Sequence, residues 1–439
     1  MPRTKVRREE QPKIVIIGAA SSSFSGLLAD MIGSERLDGA QLALVDIDAE
    51  GLEIMARLGR RMAKEWGRKT KVTGTTDRRQ ALKDADFVLT TIAVGGVKTW
   101  RQDEEIPAKH GFFGHSVDTV GPGGLFRGLR LIPPLIDICR EIEQLCPDAW
   151  VINYSNPMTA ICRAVRKATQ VKIVGLCTAG SLSRQVARRY EIDPARVEVV
   201  SAGLNHWVWA LRIYIDGVDV YQEYKAKMRR ERSKGYEASS VELMDIFGYW
   251  PMPGANHVAE FFPYFYGDEG DGRSDEKYPF REGHDFDERL KMEMDQRAKL
   301  KAQSRGKQPL GHVPEESGAE AVRMLLSMWN NGRTLHYANV QNDGIVTNLP
   351  DHAIVEVPVI ADHAGIRGLQ VGPLPESIVG YVQARVAFFE LLADAALAKS
   401  KQVALQCLMA DTSTTSIARA RACLAEMFEV QGEFLPGYK

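Results

Sequence analysis

Two short segments supply residue types able to hold a divalent cation. Gly175-Leu176-Cys177 closes one apolar run, and Gly203-Leu204-Asn205-His206-Trp207 follows further along the chain. Thiolate and imidazole both ligate borderline metals, and a bond from sulfur to a metal would depress the Cys177 thiol pKa. Two protein ligands leave the shell open, so hydroxyls of a substrate would have to complete it. On spacing alone, a core cysteine and a hydrogen-bonded structural histidine are the competing assignment.

A second kind of chemistry is written at the amino end. Lys13-Ile14-Val15-Ile16-Ile17-Gly18-Ala19-Ala20-Ser21-Ser22-Ser23 is a β-branched run ending in small residues, and Leu42-Ala43-Leu44-Val45-Asp46 follows one strand–helix–strand unit later. Small residues let the backbone approach a pyrophosphate at a helix N-terminus, and an acid at the next strand tip can hold a ribose 2′-OH. Gly18, Ser21, Ser22 and Asp46 are therefore candidate residues for NAD. The text reads G-A-A-S-S-S where the common fingerprint is G-x-G-x-x-G, so a buried first strand of any α/β sheet is the plainer alternative.

Two more clusters offer polar and charged groups. The stretch from Asp118-Thr119-Val120-Gly121 through Gly123-Gly124 to Arg127 and Arg130 is dense in glycine, which exposes backbone N–H groups, and its arginines share one helical face. It suits an oxygen-rich ligand, or else a tight turn that opens a helix. In Asn153-Tyr154-Ser155-Asn156-Pro157-Met158 the proline drives Asn156 out of the α region, so its amide projects from a strand end. An amide there can bond sugar hydroxyls (Asn156) or a nicotinamide ribose (Asn153); a simple Asx turn is the alternative.

Such groups need strands to present them. Strand-like runs at 13–18, 42–45, 87–91, 150–154 and 172–176 alternate with helical patterns at 49–66 and 132–145, the latter placing Pro133 and Pro134 in its first turn. This alternation builds a parallel sheet that binds ligands beyond the carboxyl ends of its strands. Past about Ser201 the pattern changes to a strand at 208–215, a helix at 240–247 and a glycine- and acid-rich loop at 267–273. A strongly polar helical stretch at 287–305 reads as a solvated helix, a lid or a partner surface. A β-like run at 353–359 and helices at 377–398 and 415–430 complete the chain. The expected fold class is α/β: a Rossmann domain over 12–200 with an interleaved α+β domain over 201–439.

With 439 residues, the chain is too long for one simple core. A net charge of −1 gives no global field for nucleic acid or an anionic membrane. The segment before Lys13 is too polar for a signal peptide, and no apolar run reaches spanning length. Six cysteines without C-x-x-C spacing point to reduced thiols and a cytoplasmic protein.

Taken together, these pieces resemble glycoside hydrolase family 4, whose NAD-dependent glycosidases are related in fold to lactate and malate dehydrogenases. The resemblance spans nearly the whole chain. It takes in Gly18 to Phe24, Asp118-Thr119-Val120-Gly121, Asn153 to Met158, Cys177, and Gly203-Leu204-Asn205-His206. It continues through His257-Val258-Ala259-Glu260-Phe261, Asn342 to Pro350, and Val355-Glu356-Val357-Pro358. The serine-rich first loop is more similar to the branch acting on non-phosphorylated α-glycosides.

The resemblance implies hydrolysis by way of redox chemistry, one of the exceptions to the two-carboxylate scheme. NAD⁺ takes a hydride from C3 of the sugar, a base removes the acidified C2 proton, and the C1 group is eliminated. Water then adds and the hydride returns. It also implies Mn²⁺ or another divalent cation on Cys177 and His206, Asn156 on a substrate hydroxyl, and Asp46 on the adenosine ribose; Asn205, Arg127 and Arg130 are further candidates toward the substrate, the arginines being equally suited to phosphate or to structural salt bridges. A homodimer or homotetramer acting on a small-molecule glycoside is the corresponding expectation.

Two positions depart from the family pattern. Thr178 follows the metal cysteine where His, Asp or Asn is usual, and Ala255 stands near the place of a candidate C2 base. His257, Tyr264 and Tyr266 are the nearest titratable replacements, with Asp118 as a further acid–base candidate. A net dehydrogenase of a sugar or hydroxy acid on the same fold is the rival reading, and an NAD-binding protein without turnover a third.

Overall fold

The computed structural model describes residues 11–113, 118–177, 182–235, 237–265, 284–313 and 320–439. Among these, thirteen strands form one sheet: β1 (Lys13–Ile17), β2 (Gln41–Val45), β3 (Lys71–Thr75), β4 (Phe87–Thr90), β5 (Trp150–Asn153), β6 (Lys172–Gly175), β7 (Val197–Leu204), β8 (Trp207–Ile215), β9 (Val218–Asp219), β10 (Trp250–Met252), β11 (Thr334–Gln341), β12 (Ile354–Asp362) and β13 (Gly365–Gly368). The spatial order is β10-β8-β7-β12-β11-β6-β5-β4-β1-β2-β3, with β13 beside β12 and β9 beside β8.

The stretch β3-β2-β1-β4-β5-β6 is parallel throughout. It is the doubly wound order that places ligands where the chain reverses direction, between β1 and β4. Ile14, Val15, Ile16 and Ile17 are buried, as a strand covered by helices on both faces requires. The expected α/β class and its five amino-terminal strands are present. β3 was not anticipated, because it is an edge strand in which only Val72 is buried and the hydrophobic signal is weak.

One expected boundary is corrected. The helix read as 132–145 runs over Gly121–Leu145, so Pro133 and Pro134 lie in its interior rather than its first turn. Proline 133 has no N–H for the Leu129 carbonyl four residues back. The Tyr438 hydroxyl donates to that carbonyl instead, at 2.8 Å.

The carboxyl half joins the same sheet in antiparallel fashion. Asn339 on β11 pairs with Gly175 on β6, and Glu356 on β12 pairs with Gly203 on β7. The helix Glu376–Ala398 then returns to the first half and lies against Gly121–Leu145 and Met158–Ala168. Its Phe388 and Phe389 are fully buried, worth roughly 1.5–3 kcal/mol each by area. Glu390 on this helix pairs with Arg163 and Lys167 of Met158–Ala168. No helix among the described residues is long and apolar enough to cross a membrane.

Candidate functional site

A cavity of about 1360 Å³ opens beyond the carboxyl ends of β1, β2 and β4, and Gly18, Ser21, Ser22 and Asp46 all line it. Gly18 sits at φ +95°, and a Cβ there would lie 2.4 Å from the Thr91 carbonyl oxygen. Only glycine therefore lets the loop after β1 cross the end of β4. Asp46 accepts the Ala20 N–H at 2.8 Å and the Asp48 N–H at 3.0 Å, which fixes the loop to the tip of β2. A carboxylate has about four acceptor positions, so two remain for a ribose diol.

The polar helix Phe286–Ser304 forms a further wall through Met292, Gln296 and Leu300. Arg297 bonds Asp48, and Lys301 reaches Glu50 at 2.7 Å, so this helix is docked on Ala49–Glu65 rather than wholly solvated. Asn153 does not line the cavity. It is fully buried, accepts from Thr90 Oγ1 at 2.9 Å and Ser155 N at 3.1 Å, and donates to the Ser155 carbonyl at 2.9 Å. The simple Asx turn describes it, and its amide is engaged at both ends.

Beside the cavity, the ends of β5 and β6 meet the β7–β8 hairpin. The Ser155 side chain bonds Ile92 of the cavity wall through both its N–H and its carbonyl, each at 3.0 Å. Asn156 follows and donates to Asp118 Oδ2 at 3.0 Å. Asn205 and His206 are the two-residue turn of the hairpin, with His206 at φ +69°. That turn needs close strands: a Cβ on Gly203 would lie 2.3 Å from the Trp207 carbonyl oxygen.

The His206 ring is buried within a set of acceptors. Thr119 Oγ1 lies 2.9 Å from Nδ1 and donates to Asp118 Oδ1 at 2.9 Å. A hydroxyl has one proton, so Thr119 must accept from Nδ1–H, and Nε2 is the nitrogen that a cation would take in place of a proton. Glu260 Oε1 is 3.4 Å from the same Nδ1, and Asp118 Oδ1 is 3.7 Å away. The His257 ring stacks beside His206 with centroids 4.2 Å apart, and the Cys177 side chain hydrogen-bonds the His206 imidazole.

These contacts set the charges. Burial opposes protonation of His206, but its bonds to Cys177 and Glu260 and the Asp118 charge outweigh burial and raise its pKa well above 6.5. Burial also drives the Glu260 carboxyl up to about 8, against the pull of His206. Asp118 is moved the other way: despite burial, the His206 and Arg127 charges and the Thr119 and Asn156 bonds hold it below 3.8.

Other expected residues fall differently. Arg127 donates from Nε to the Asn156 carbonyl at 3.2 Å and so stays at the crevice. Arg130 does not; it is buried against Asp103, at 2.8 and 2.6 Å, and against Gln431. Its fork is consumed within the core. Tyr264 is 58% exposed and its hydroxyl meets Tyr381 at 3.5 Å, which with partial burial raises the phenol pKa. A tyrosine base needs the opposite shift. Tyr266, Thr178 and the 267–273 loop lie outside the described residues.

Asn205 is fully buried and donates to Glu356 Oε2 at 3.1 Å, as does Asn339 at 2.9 Å. Burial raises the Glu356 pKa, opposed by the two amides. This acid under the hairpin was not singled out as a site residue, although an acid inside the apolar run of β12 is the signal for it. Deeper still, Arg385 pairs with Asp411 at 2.9 Å and donates to the Phe261 carbonyl at 2.8 Å. Asp411 in turn accepts the Gly121 N–H at 2.8 Å, so one buried ion pair braces the turns that carry Asp118 and Glu260.

The residues present fit both groups the sequence implied. The Gly18 cradle and Asp46 suit a dinucleotide. Soft sulfur, imidazole and a buried carboxylate whose Oε2 has no hydrogen-bond partner suit a divalent cation.

Comparison with known proteins agrees in extent. The profile described as family 4 glycosyl hydrolase matches residues 13–188, and that of its C-terminal domain matches residues 201–414. An α-galactosidase of Bacillus subtilis (strain 168) is 32% identical over 97% of this chain and 100% of its own length. A probable 6-phospho-β-glucosidase of the same strain is 32% identical over 97% of this chain and 98% of its own. Among solved structures, a 6-phospho-α-glucosidase from gut microorganisms, in complex with NAD and Mn²⁺, has a TM-score of 0.85 at 24% identity, covering 98% of this chain and 100% of that one.

Proposed function

The chain belongs to family 4 of the glycosyl hydrolases, and from that premise we propose that it cleaves an α-glycoside with the aid of NAD and a divalent cation, Mn²⁺ foremost. A galactoside, a glucoside or a uronide is the substrate class. The observation that carries this reading is the placement of Asp118, Asn156 and His206 in one bonded group beside a cavity built for a dinucleotide.

When bound, NAD would supply a reversible hydride acceptor for the sugar C3, and the cation would supply positive charge for oxyanions that develop on the sugar. Asp46 and the Gly18 loop hold the adenosine ribose and pyrophosphate. Cys177 and Nε2 of His206 hold the cation. Asn156 Oδ1 is buried without a hydrogen-bond partner and accepts a sugar hydroxyl. Asp118, kept ionised by His206 and Arg127, accepts a proton from the bound sugar. Arg127 faces an acidic or hydroxyl-rich group.

The same reading makes the protein a cytoplasmic homodimer or homotetramer. Residues 12–200 would be its dinucleotide unit, and 201–439 its substrate and assembly unit. Five free cysteines buried in the core support a reducing compartment.

A panel of p-nitrophenyl glycosides with NAD⁺, Mn²⁺ and a thiol reductant tests the activity, run in heavy water. The expected product carries deuterium at C2. Product without deuterium removes the redox route, and stoichiometric NADH release would favour a net dehydrogenase instead.

A further inference from the structure

Two protein ligands hold a cation weakly, yet this crevice contains more donors than Cys177 and His206. Ligand atoms of His206, His257 and Glu260 all lie within 4.8 Å of one another. The rings of His206 and His257 are 4.2 Å apart between centroids and tilted by 43°, while Cys177, which bonds the His206 imidazole, lies outside that group. Glu260 lies on the same short segment as His257, three residues on. Its side chain is only 2% exposed, and its Oε2 has no hydrogen-bond partner. A buried carboxylate oxygen in that state signals a missing cation or donor.

We propose that His257 is a third protein ligand of the metal, beside Cys177 and Nε2 of His206, with Glu260 as the carboxylate that orients His206 through Nδ1–H. The inference rests on the cation site assigned above and deepens it. Its consequence is that the metal is seated before the sugar arrives, and that hydroxyls of the substrate add to an existing centre rather than completing it.

Sulfur, two imidazoles and a nearby carboxylate leave coordination positions open on a six-coordinate ion such as Mn²⁺. The arrangement also gives His257 an occupation other than proton transfer. Outer carboxylate partners of ligating histidines fix the ring and its tautomer, and their loss typically weakens metal binding about 10–100-fold. Glu260 is thus a positioning residue.

The test is a titration of the NAD-bound protein with Mn²⁺ in the absence of sugar, read by the electron paramagnetic resonance of free Mn²⁺. Co²⁺ uptake is followed in parallel by its visible spectrum. The wild type should bind one Mn²⁺ per chain. His257→Ala should weaken binding about 10-fold or more and alter the Co²⁺ ligand-field bands while keeping the sulfur-to-cobalt band. Glu260→Gln should weaken binding with the bands kept, and Glu260→Asp should restore part of the affinity.

Wild-type affinity and spectrum in His257→Ala overturn the proposal, as does a wild type that takes up Mn²⁺ only with sugar present. Should Cys177→Ser and His206→Ala also bind as wild type, the cation site itself is wrong. Retained NAD reports that a variant is folded. If His257→Ala loses NAD, His257→Asn carries the same expectations and the same overturning result.

Discussion

Arg297 grips Asp48 with both guanidinium branches, Nη1 to Oδ2 at 2.6 Å and Nη2 to Oδ1 at 3.2 Å. Asp48 is also the N-cap of Ala49–Glu65 and lies two residues past Asp46. The pair therefore fastens the Phe286–Ser304 helix across the end of the cavity that Asp46 lines.

This grip predicts slower escape of NAD. Arg297→Ala should raise the NAD dissociation rate between about 1.5- and 5-fold, the range for a part-exposed ion pair. Combining it with Lys301→Ala should enlarge the effect, and added salt should abolish the difference from wild type. Stopped-flow displacement of NAD checks it; equal rates at low salt would remove the role.

Asp46 anchors the loop after β1 and offers its remaining lone pairs outward. Asp46→Ala should weaken NAD binding at least about 10-fold, the loss expected for a hydrogen bond to a charged group. Asp46→Asn, which keeps an acceptor for Ala20, should fall between. Isothermal titration with NAD measures both.

Arg127 is the crevice arginine whose donors are not spent on a carboxylate in the core, in contrast to Arg130. If a uronide is the substrate, Arg127→Gln should lower kcat/KM for it at least about 10-fold, with a smaller change for a neutral galactoside. Equal losses on both would place Arg127 with the turn that holds Asn156.

Glu390 makes stability depend on acid. Burial raises its pKa, but the Arg163 and Lys167 bonds lower it more, to about 2 from 4.5. A pKa lower in the folded state adds stability that is complete above about 4.5 and is lost as pH falls toward about 2. The amount is about 2–3 kcal/mol for a shift of this size in a mostly covered group. Glu390→Gln should lower Tm at pH 7 and flatten its decline below pH 4.5, as read by thermal melts across pH.

Much of this arrangement was legible because it is local. The β-branched run ending at Gly18, the acid at Asp46 and the motif residues Asn156, Cys177 and His206 lie at strand ends that periodicity locates, and Asp118 stands in the glycine-rich turn that opens the helix Gly121–Leu145. What could not be read depends on residues distant in the chain. Arg130 looked available until Asp103 and Gln431 closed on it. Asn153 differs from Asn156 only in facing inward, which three residues of text do not record. The Pro133 position became tolerable through Tyr438, and Glu356 gained its place under Asn205 through β12 crossing to β7. Spacing fixes a strand; it does not say which helix will cover it.

The Arg385–Asp411 pair carries a consequence for synthesis. Because Asp411 holds the Gly121 N–H and Arg385 holds the Phe261 carbonyl, the turns bearing Asp118 and Glu260 lack their brace until residues 385–411 leave the ribosome. A nascent chain that stops short of Asp411 lacks the contacts that fix the crevice. Assembly of the crevice is thereby deferred until residue 411 has been made, and a truncation before it would free the turns of Asp118 and Glu260 from their common brace.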